Sequence, residues 1–122
     1  MKEAVIVADD SAIIRNIVSK ALSDKYIVLQ ASNGKEAVRL VIQNKQYNIK
    51  ALLLDLKMPE YDGFMVLDYF KQNNLFNKIP VIIISGDDSK GTIEKAFTYN
   101  IVDMLNKPFS KKNILNIVEK CS

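Results

Sequence analysis

The sequence predicts an α/β domain: one doubly wound parallel sheet of five strands with helices on both faces. Two observations carry that expectation. Short unbroken apolar runs recur along the chain, as strands covered on both faces require, and each is followed by a stretch whose apolar residues fall three and four apart, as one helix face requires. Strict alternation of the two implies parallel strands joined by right-handed crossovers. The 122 residues hold one such domain and leave no room for a second, so positions 1–122 read as a single unit.

The first strand is residues 4–8 (Ala-Val-Ile-Val-Ala), which end abruptly in Asp9 and Asp10. Ile13, Ile14, Ile17, Val18, Ala21 and Leu22 then mark the inward face of a helix that Asp10 or Ser11 can cap. Residues 26–31 read as the second strand, Ser32-Asn33-Gly34 as a turn, and 35 to about 45 as a helix with Ala37, Val38, Val41 and Ile42 inward. The third strand, 51–54, runs straight into Asp55 and a loop punctuated by Pro59 and Gly63, after which Val66, Leu67 and Phe70 line the next helix. Residues 80–84, rich in β-branched side chains, make the fourth strand and stop at Ser85-Gly86. A helix over 92–99, a short fifth strand over 101–105 and a last helix with Ile114, Leu115 and Val118 inward complete the series. No internal repeat, linker or low-complexity stretch interrupts it.

Composition narrows the function. Apolar residues at 48% and charged residues at 25% are ordinary for a soluble globular protein. The net charge of +3 arises from 17 basic and 14 acidic residues scattered along the chain, and the pair Lys111-Lys112 reads as a solvated surface, so direct nucleic-acid binding is not expected. The single cysteine, Cys121, excludes an intrachain disulfide and a multi-cysteine metal site. There is no histidine, which removes the commonest general base, the usual transition-metal ligand and any phosphohistidine. No apolar stretch approaches a membrane span and the N-terminus lacks a signal-peptide core, so the expected location is the cytoplasm, without membrane contact.

In open parallel sheets the functional crevice lies beyond the carboxyl ends of the strands. Asp9 and Asp10 follow the first strand, Asp55 the third, Ser85 the fourth and Lys107 the fifth, so all five side chains are placed to converge there. Clustered carboxylates repel: at an effective dielectric of about 20, two charges roughly 4 Å apart cost on the order of 4 kcal/mol. Lys107 offsets one charge, and a hard cation accounts for the rest. Mg²⁺ needs only one or two carboxylates plus phosphate oxygens, Mn²⁺ is a substitute, and carboxylates without His or thiolate point away from zinc. A carboxylate beside such a cation is a candidate phosphoryl acceptor, and Asp55, which emerges between the acid pair and Ser85, is the expected nucleophile. The Lys107 ammonium, the Ser85 hydroxyl and backbone N–H groups near Lys57 and Gly86 stand ready to stabilise the transferred oxygens.

Asp9-Asp10-Ser, Leu-Leu-Leu-Asp55-Leu-Lys-Met-Pro59 with Asp62-Gly63, Ile-Ile-Ile-Ser85-Gly86 and Lys107-Pro108-Phe109, in that order, resemble the receiver domain of two-component response regulators, chemotaxis regulators included. The resemblance spans essentially the whole chain and implies a flavodoxin-like sheet of order 2-1-3-4-5. It implies Asp55 as the phosphorylation site, Asp10 as a direct Mg²⁺ ligand, Asp9 as a ligand acting mainly through water, and the Lys57 backbone carbonyl as a further ligand. Ser85 is similar to the family's switch hydroxyl and Lys107 to its phosphate-contacting lysine, with a cis Lys107-Pro108 bond. The implied donor is a histidine kinase or phosphotransfer protein, small acyl phosphates also serving. The implied output is altered binding to a downstream effector protein or domain, with a phosphorylation-dependent dimer as one form, and the domain is a phosphoacceptor and not a turnover enzyme.

Two departures from the family pattern, Met104 and the stretch Asn100-Ile101-Val102-Asp103 in place of the family's common Gly-Ala start to this strand, and one charged pair beside the site qualify this. Met104 stands where the family usually carries Tyr or Phe, and a flexible thioether fills space without a ring to report rotation; the switch is therefore expected to be read from the loop after Ser85 and the helix near Thr92. Lys57 and Asp87, each two residues past a site residue, flank the expected path of an attacking water and are candidates to pair across the pocket and slow acyl-phosphate hydrolysis. A phosphatase of the haloacid dehalogenase type would share the Asp nucleophile, but Lys57 stands where its acid–base Asp belongs and there is no room for a cap domain. A degenerate receiver kept only for dimerisation would have lost acids that are all present. A dinucleotide-binding fold is disfavoured by Asp-Asp-Ser in the first turn.

Overall fold

The computed structural model describes residues 1–121. They form β1 (Glu3–Ala8), α1 (Ala12–Leu22), β2 (Ile27–Ala31), α2 (Gly34–Gln43), β3 (Asn48–Asp55), α3 (Gly63–Gln72), β4 (Val81–Ser85), α4 (Lys90–Ala96), β5 (Asp103–Asn106) and α5 (Lys111–Glu119). All pairings are parallel and the strand order is β2-β1-β3-β4-β5.

The unbroken apolar runs follow from burial on two sides. Ala4, Ile6 and Ala8 of β1, Leu52 and Leu54 of β3, and Val81 and Ile83 of β4 pack with Ala37 of α2, Val66, Leu67 and Phe70 of α3 and Ala96 of α4. The intervening Val5, Val7, Ala51, Leu53, Ile82 and Ile84 pack on the other face with Val18, Ala21 and Leu22 of α1 and Ile114, Ile117 and Val118 of α5. Each fully buried Leu, Ile or Val contributes about 1.5–3 kcal/mol, so the central strands are the thermodynamic anchor. Helix starts are fixed locally. Ser11, Asn33, Asp62 and Ser110 accept N–H bonds from Ile14, Glu36, Met65 and Asn113, and Ser110 with Asn113 forms a reciprocal capping box.

The structure corrects the sequence reading at several places. Ile13, Ile17 and Ile42 are 73%, 41% and 58% exposed instead of inward. Each neighbours a residue that is at least partly buried (Ile14, Val18, Val41), and adjacent helical positions diverge by about 100°, so one of each pair must face out. Tyr26 precedes β2, its N–H being used by the Leu22 carbonyl at the end of α1. β3 begins earlier, at the polar Asn48, whose N–H donates to the Lys2 carbonyl. α2 ends at Gln43, where the Asn44 side chain accepts N–H bonds from Gln46 and Tyr47 and turns the chain. α4 is shifted to Lys90–Ala96, and Tyr99 lies in the turn that closes it, its N–H on the Ala96 carbonyl. β5 starts at Asp103, since Ile101 and Val102 lead in before the ladder. On α5, Leu115 is only partly buried and Ile117, which the spacing argument passed over, is in the core.

Two glycines position the crevice. A Cβ on Gly63 would lie 2.4 Å from the Asp55 carbonyl oxygen and 2.7 Å from Leu56 Cα, and one on Gly34 would lie 2.3 Å from the Tyr61 carbonyl oxygen. The first turn of α3 therefore sits directly against the end of β3, and the loop between them folds back onto α2. That loop turns at Glu60, in the left-handed region at φ 67°, with the Tyr61 N–H on the Pro59 carbonyl at 2.7 Å.

Candidate functional site

Along the chain the strands are laid down to one side of β1 and then to the other, so the order reverses between β1 and β3. Ala8 pairs with Leu54 there, and the next residue of each strand, Asp9 and Asp55, projects from the carboxyl edge. Asp9 is fully buried: its N–H donates to the Ala31 carbonyl (3.1 Å) and its Oδ1 accepts the Ser11 N–H (2.9 Å). Its Oδ2 takes no backbone or hydroxyl donor and faces the Lys107 ammonium at 2.8 Å. Asp55 is also buried, with Oδ2 at 3.3 Å from the same ammonium and Oδ1 accepting the Lys57 N–H at 3.4 Å. Asp10, beside them, is exposed.

Lys107 reaches this point because its own N–H is bonded to the Ser85 carbonyl (2.8 Å), extending the β4–β5 pairing by one residue, and because the chain then leaves through a cis Lys107-Pro108 bond. Ser85 closes β4 and is buried; its hydroxyl is engaged by the next loop, accepting the Asp87 N–H (3.0 Å) and donating to the Asp87 carbonyl (3.3 Å). The Asp87 carboxylate in turn accepts from the Ser89 N–H and the Thr92 hydroxyl, both at 2.9 Å, and lies 3.9 Å from the Lys57 ammonium. The structure thus brings Asp9, Asp10, Asp55 and Lys107 together, while the Ser85 hydroxyl faces its own loop. A cleft of about 530 Å³ opens beside them, lined among others by Asp10, Lys57, Met58, Phe64, Asp87 and Thr92.

Electrostatics sets the character of the site. Burial, then the charge of Asp9, push the Asp55 carboxyl above its usual range, with Lys107 and the Lys57 N–H only partly opposing. Burial pulls the Lys107 ammonium down, but the adjacent Asp9 and Asp55 carboxylates outweigh it and raise it above its usual value. Asp87 is held below the usual carboxylate range by its bonds from Ser89 and Thr92. One ammonium therefore serves two buried acids, and a third stands alongside.

One carboxylate oxygen from each of Asp9, Asp10 and Asp55 lies within 4.8 Å of the others. The ligand atoms are all oxygen, and three carboxylates share a single ammonium, so the residues fit a hard divalent cation. Sequence reasoning did not anticipate that Asp9, read as the more remote member of the pair, is itself buried against Lys107. It also passed over Arg15, whose guanidinium grips the Asp9 carbonyl; a lone cation in the first turn of an otherwise apolar and polar helix was the available signal.

An acidic crevice at the reversal of a 2-1-3-4-5 sheet, covered by one lysine, defines a class of doubly wound α/β domains. The family model described as the response regulator receiver domain matches residues 5–119, and the chain belongs to that family. Its setting is phosphorylation-based two-component signalling. The two-component response regulator-like PRR37 of Oryza sativa subsp. indica is 32% identical over 118 residues, which are 96% of this chain but 16% of that protein. The two-component response regulator ORR3 of the same subspecies is 28% identical, over 95% of this chain and 88% of its own length. The chain thus spans a small part of the first relative and most of the second. The chemotaxis response regulator CheY4 of Vibrio cholerae shares the fold at a TM-score of 0.87 over 100% of both chains, with 23% identity. Among the described residues no helix is long and apolar enough to cross a membrane.

The raised Asp55 carboxyl gives a signed expectation. A group whose folded pKa exceeds its unfolded value supports the fold fully below the unfolded value, and that support is lost as pH rises through the folded one. Asp55→Asn, which removes the buried charge and keeps the shape, should raise Tm at pH 7 by about 3 °C. The gain should shrink as pH falls toward 4. Thermal unfolding of both proteins across this range checks it, and a pH-independent difference would contradict the assignment.

Proposed function

We propose that Asp55 accepts a phosphoryl group from a histidine kinase or phosphotransfer protein in a Mg²⁺-dependent reaction, and that the resulting acyl phosphate changes which effector the domain binds. The supporting observation is the Asp55 carboxylate itself, buried at the end of a central strand with Lys107 at 3.3 Å and two further acids beside it. Asp9, Asp10, Asp55 and the Lys57 backbone carbonyl are the residues that would hold Mg²⁺, with Mn²⁺ as a substitute. When bound, the cation supplies neutralising charge for the phosphoryl oxygens. The chain contributes the rest. An Asp55 oxygen forms the new bond to phosphorus as the donor's bond to phosphorus breaks, and the donor keeps that electron pair. Lys107 transfers its ammonium from a carboxylate to a phosphoryl oxygen, and the Ser85 hydroxyl donates to another once it leaves Asp87. Since the chain contains no histidine, the phosphohistidine belongs to the donor.

Release of Ser85 from Asp87 disturbs a loop whose acid also holds the start of α4 through Ser89 and Thr92. That loop is the proposed route by which phosphorylation reaches a partner surface, in place of the aromatic residue that Met104 replaces. A phosphorylation-dependent dimer is one form such a response takes, and the cytoplasm is the compartment proposed for it. The domain acts once per phosphoryl group received and is not a turnover phosphatase, Lys57 occupying the position an acid–base carboxylate would need.

Incubation with acetyl phosphate and Mg²⁺ followed by intact-mass analysis should show one added phosphoryl group on the wild type and none on Asp55→Asn or in the presence of a chelator. Equal labelling of the variant would refute the assignment. The Lys57–Asp87 contact gives a second expectation: followed over time after donor removal, Lys57→Ala and Asp87→Ala should each lose the group several-fold faster than wild type, because the ion pair shields the approach of water. Unchanged rates in both variants would reject that role.

A further inference from the structure

We infer that Arg15 is a positioning residue for the cation site: by holding the Asp9 carbonyl it fixes the peptide plane that presents Asp9 and Asp10 to the crevice. The inference rests on the cation reading proposed above and adds to it a residue outside the crevice. Arg15 sits in the first turn of α1, its own N–H bonded to the Ser11 carbonyl. Its Nη1 donates to the Asp9 carbonyl at 2.8 Å and its Nε to Gln30 Oε1 at 3.1 Å. Gln30 lies on β2 and is itself held, its Nε2 donating to Ser19 Oγ of α1 at 2.9 Å. The planar guanidinium is thereby fixed at two points, from the edge strand and from the turn.

Asp9 shows what this hold accomplishes. Its N–H is fixed by Ala31, its Oδ1 by the Ser11 N–H and its carbonyl by Arg15, which leaves Oδ2 as the one polar atom of the residue free to face Lys107 and the crevice. The Asp9 carbonyl and the Asp10 N–H belong to one rigid peptide plane. A donor on that carbonyl therefore sets the direction of the Asp10 Cα as well, and both acids of the pair are aimed by a single bond. With the guanidinium in place Asp9 is fully buried, and without it the carbonyl exchanges a donor fixed at two points for an unfixed one, so the plane is no longer held. Outer residues that orient ligands are typically worth about ten- to a hundredfold in metal affinity.

Charge and positioning predict opposite signs, which makes the role separable. A cation near a cation site opposes binding, so removing only charge would tighten Mg²⁺, whereas losing the two-point hold weakens it. The test is a Mg²⁺ titration of the unphosphorylated full chain followed by backbone amide NMR shifts, with thermal unfolding recorded alongside, for wild type, Arg15→Met, Arg15→Lys, Gln30→Leu and Asp10→Asn. The expected result is Mg²⁺ affinity about tenfold weaker in Arg15→Met and clearly weaker in Arg15→Lys, which keeps the charge and loses the fork. Gln30→Leu, which frees the guanidinium without removing it, should weaken binding about threefold and stands in if the Arg15 variants do not fold. Wild-type affinity in a folded Arg15→Met, tighter binding in it, or wild-type affinity in Gln30→Leu would overturn the inference while Asp10→Asn still loses Mg²⁺. Absence of Mg²⁺ binding by the wild type would overturn the cation reading and this inference together.

Discussion

Everything distinctive about this domain follows from putting two buried carboxylates, Asp9 and Asp55, within reach of a single ammonium at the edge of a parallel sheet. Buried acids are costly unless paired, and here the pairing falls short: one Lys107 ammonium is shared between two carboxylates, and the Asp55 carboxyl is raised. Such a site is under-neutralised. Under the function proposed above, a hard cation would bring the positive charge it lacks, and the phosphoryl oxygens would be new acceptors for Lys107 and Ser85.

The fold makes that arrangement possible with little local strain. Parallel strands buried on both faces hold their carboxyl ends in register, Asp55 opposite Ile84 and Ser85 opposite Asn106, so Asp55, Ser85 and Lys107 emerge in successive steps along one edge. Gly63 and Gly34 let α3 and its preceding loop close directly onto the end of β3. The loop after β4 is different in kind. It is held by side-chain bonds through Asp87 and by the Ser85 hydroxyl, each replaceable, and α4 beyond it makes few bonds of its own: its capping position, Ser89, has no side-chain cap. Instead α4 is tied sideways to α3, with Lys95 4.1 Å from the centre of the Phe64 ring and the Tyr99 hydroxyl donating to Asp68. The proposed readout through α4 rests on this contrast between rigid strands and a helix tied by replaceable side-chain bonds.

Much of this was legible in the sequence because it depends on one-dimensional signals. Apolar runs ending in Asp, Asp, Ser and Lys mark strand ends, and strand ends of a parallel sheet meet. The helix faces were legible only in part. Ile13 and Ile14, or Val41 and Ile42, look equally apolar, and only the packed helix decides which turns inward. The start of β3 at Asn48 and the placement of α4 were hidden for a related reason: backbone pairing with Lys2 and the turn that Asp87 makes with the Ser89 N–H leave no apolar trace. Burial of Asp9 was equally invisible, since two adjacent acids differ in sequence by nothing that says which one the chain will cover. Arg15 was missed because its partner is a backbone carbonyl, which no residue type encodes.

The measurement closest to the central claim is the thermal stability of Lys107→Met against wild type at pH 7, without and with saturating Mg²⁺. If a shared cation is what allows Asp9 and Asp55 to stay buried and charged, the variant loses stability in the absence of metal, and Mg²⁺ restores it by more than it stabilises the wild type. A variant as stable as wild type without metal, or equal Mg²⁺ effects in the two proteins, would contradict it.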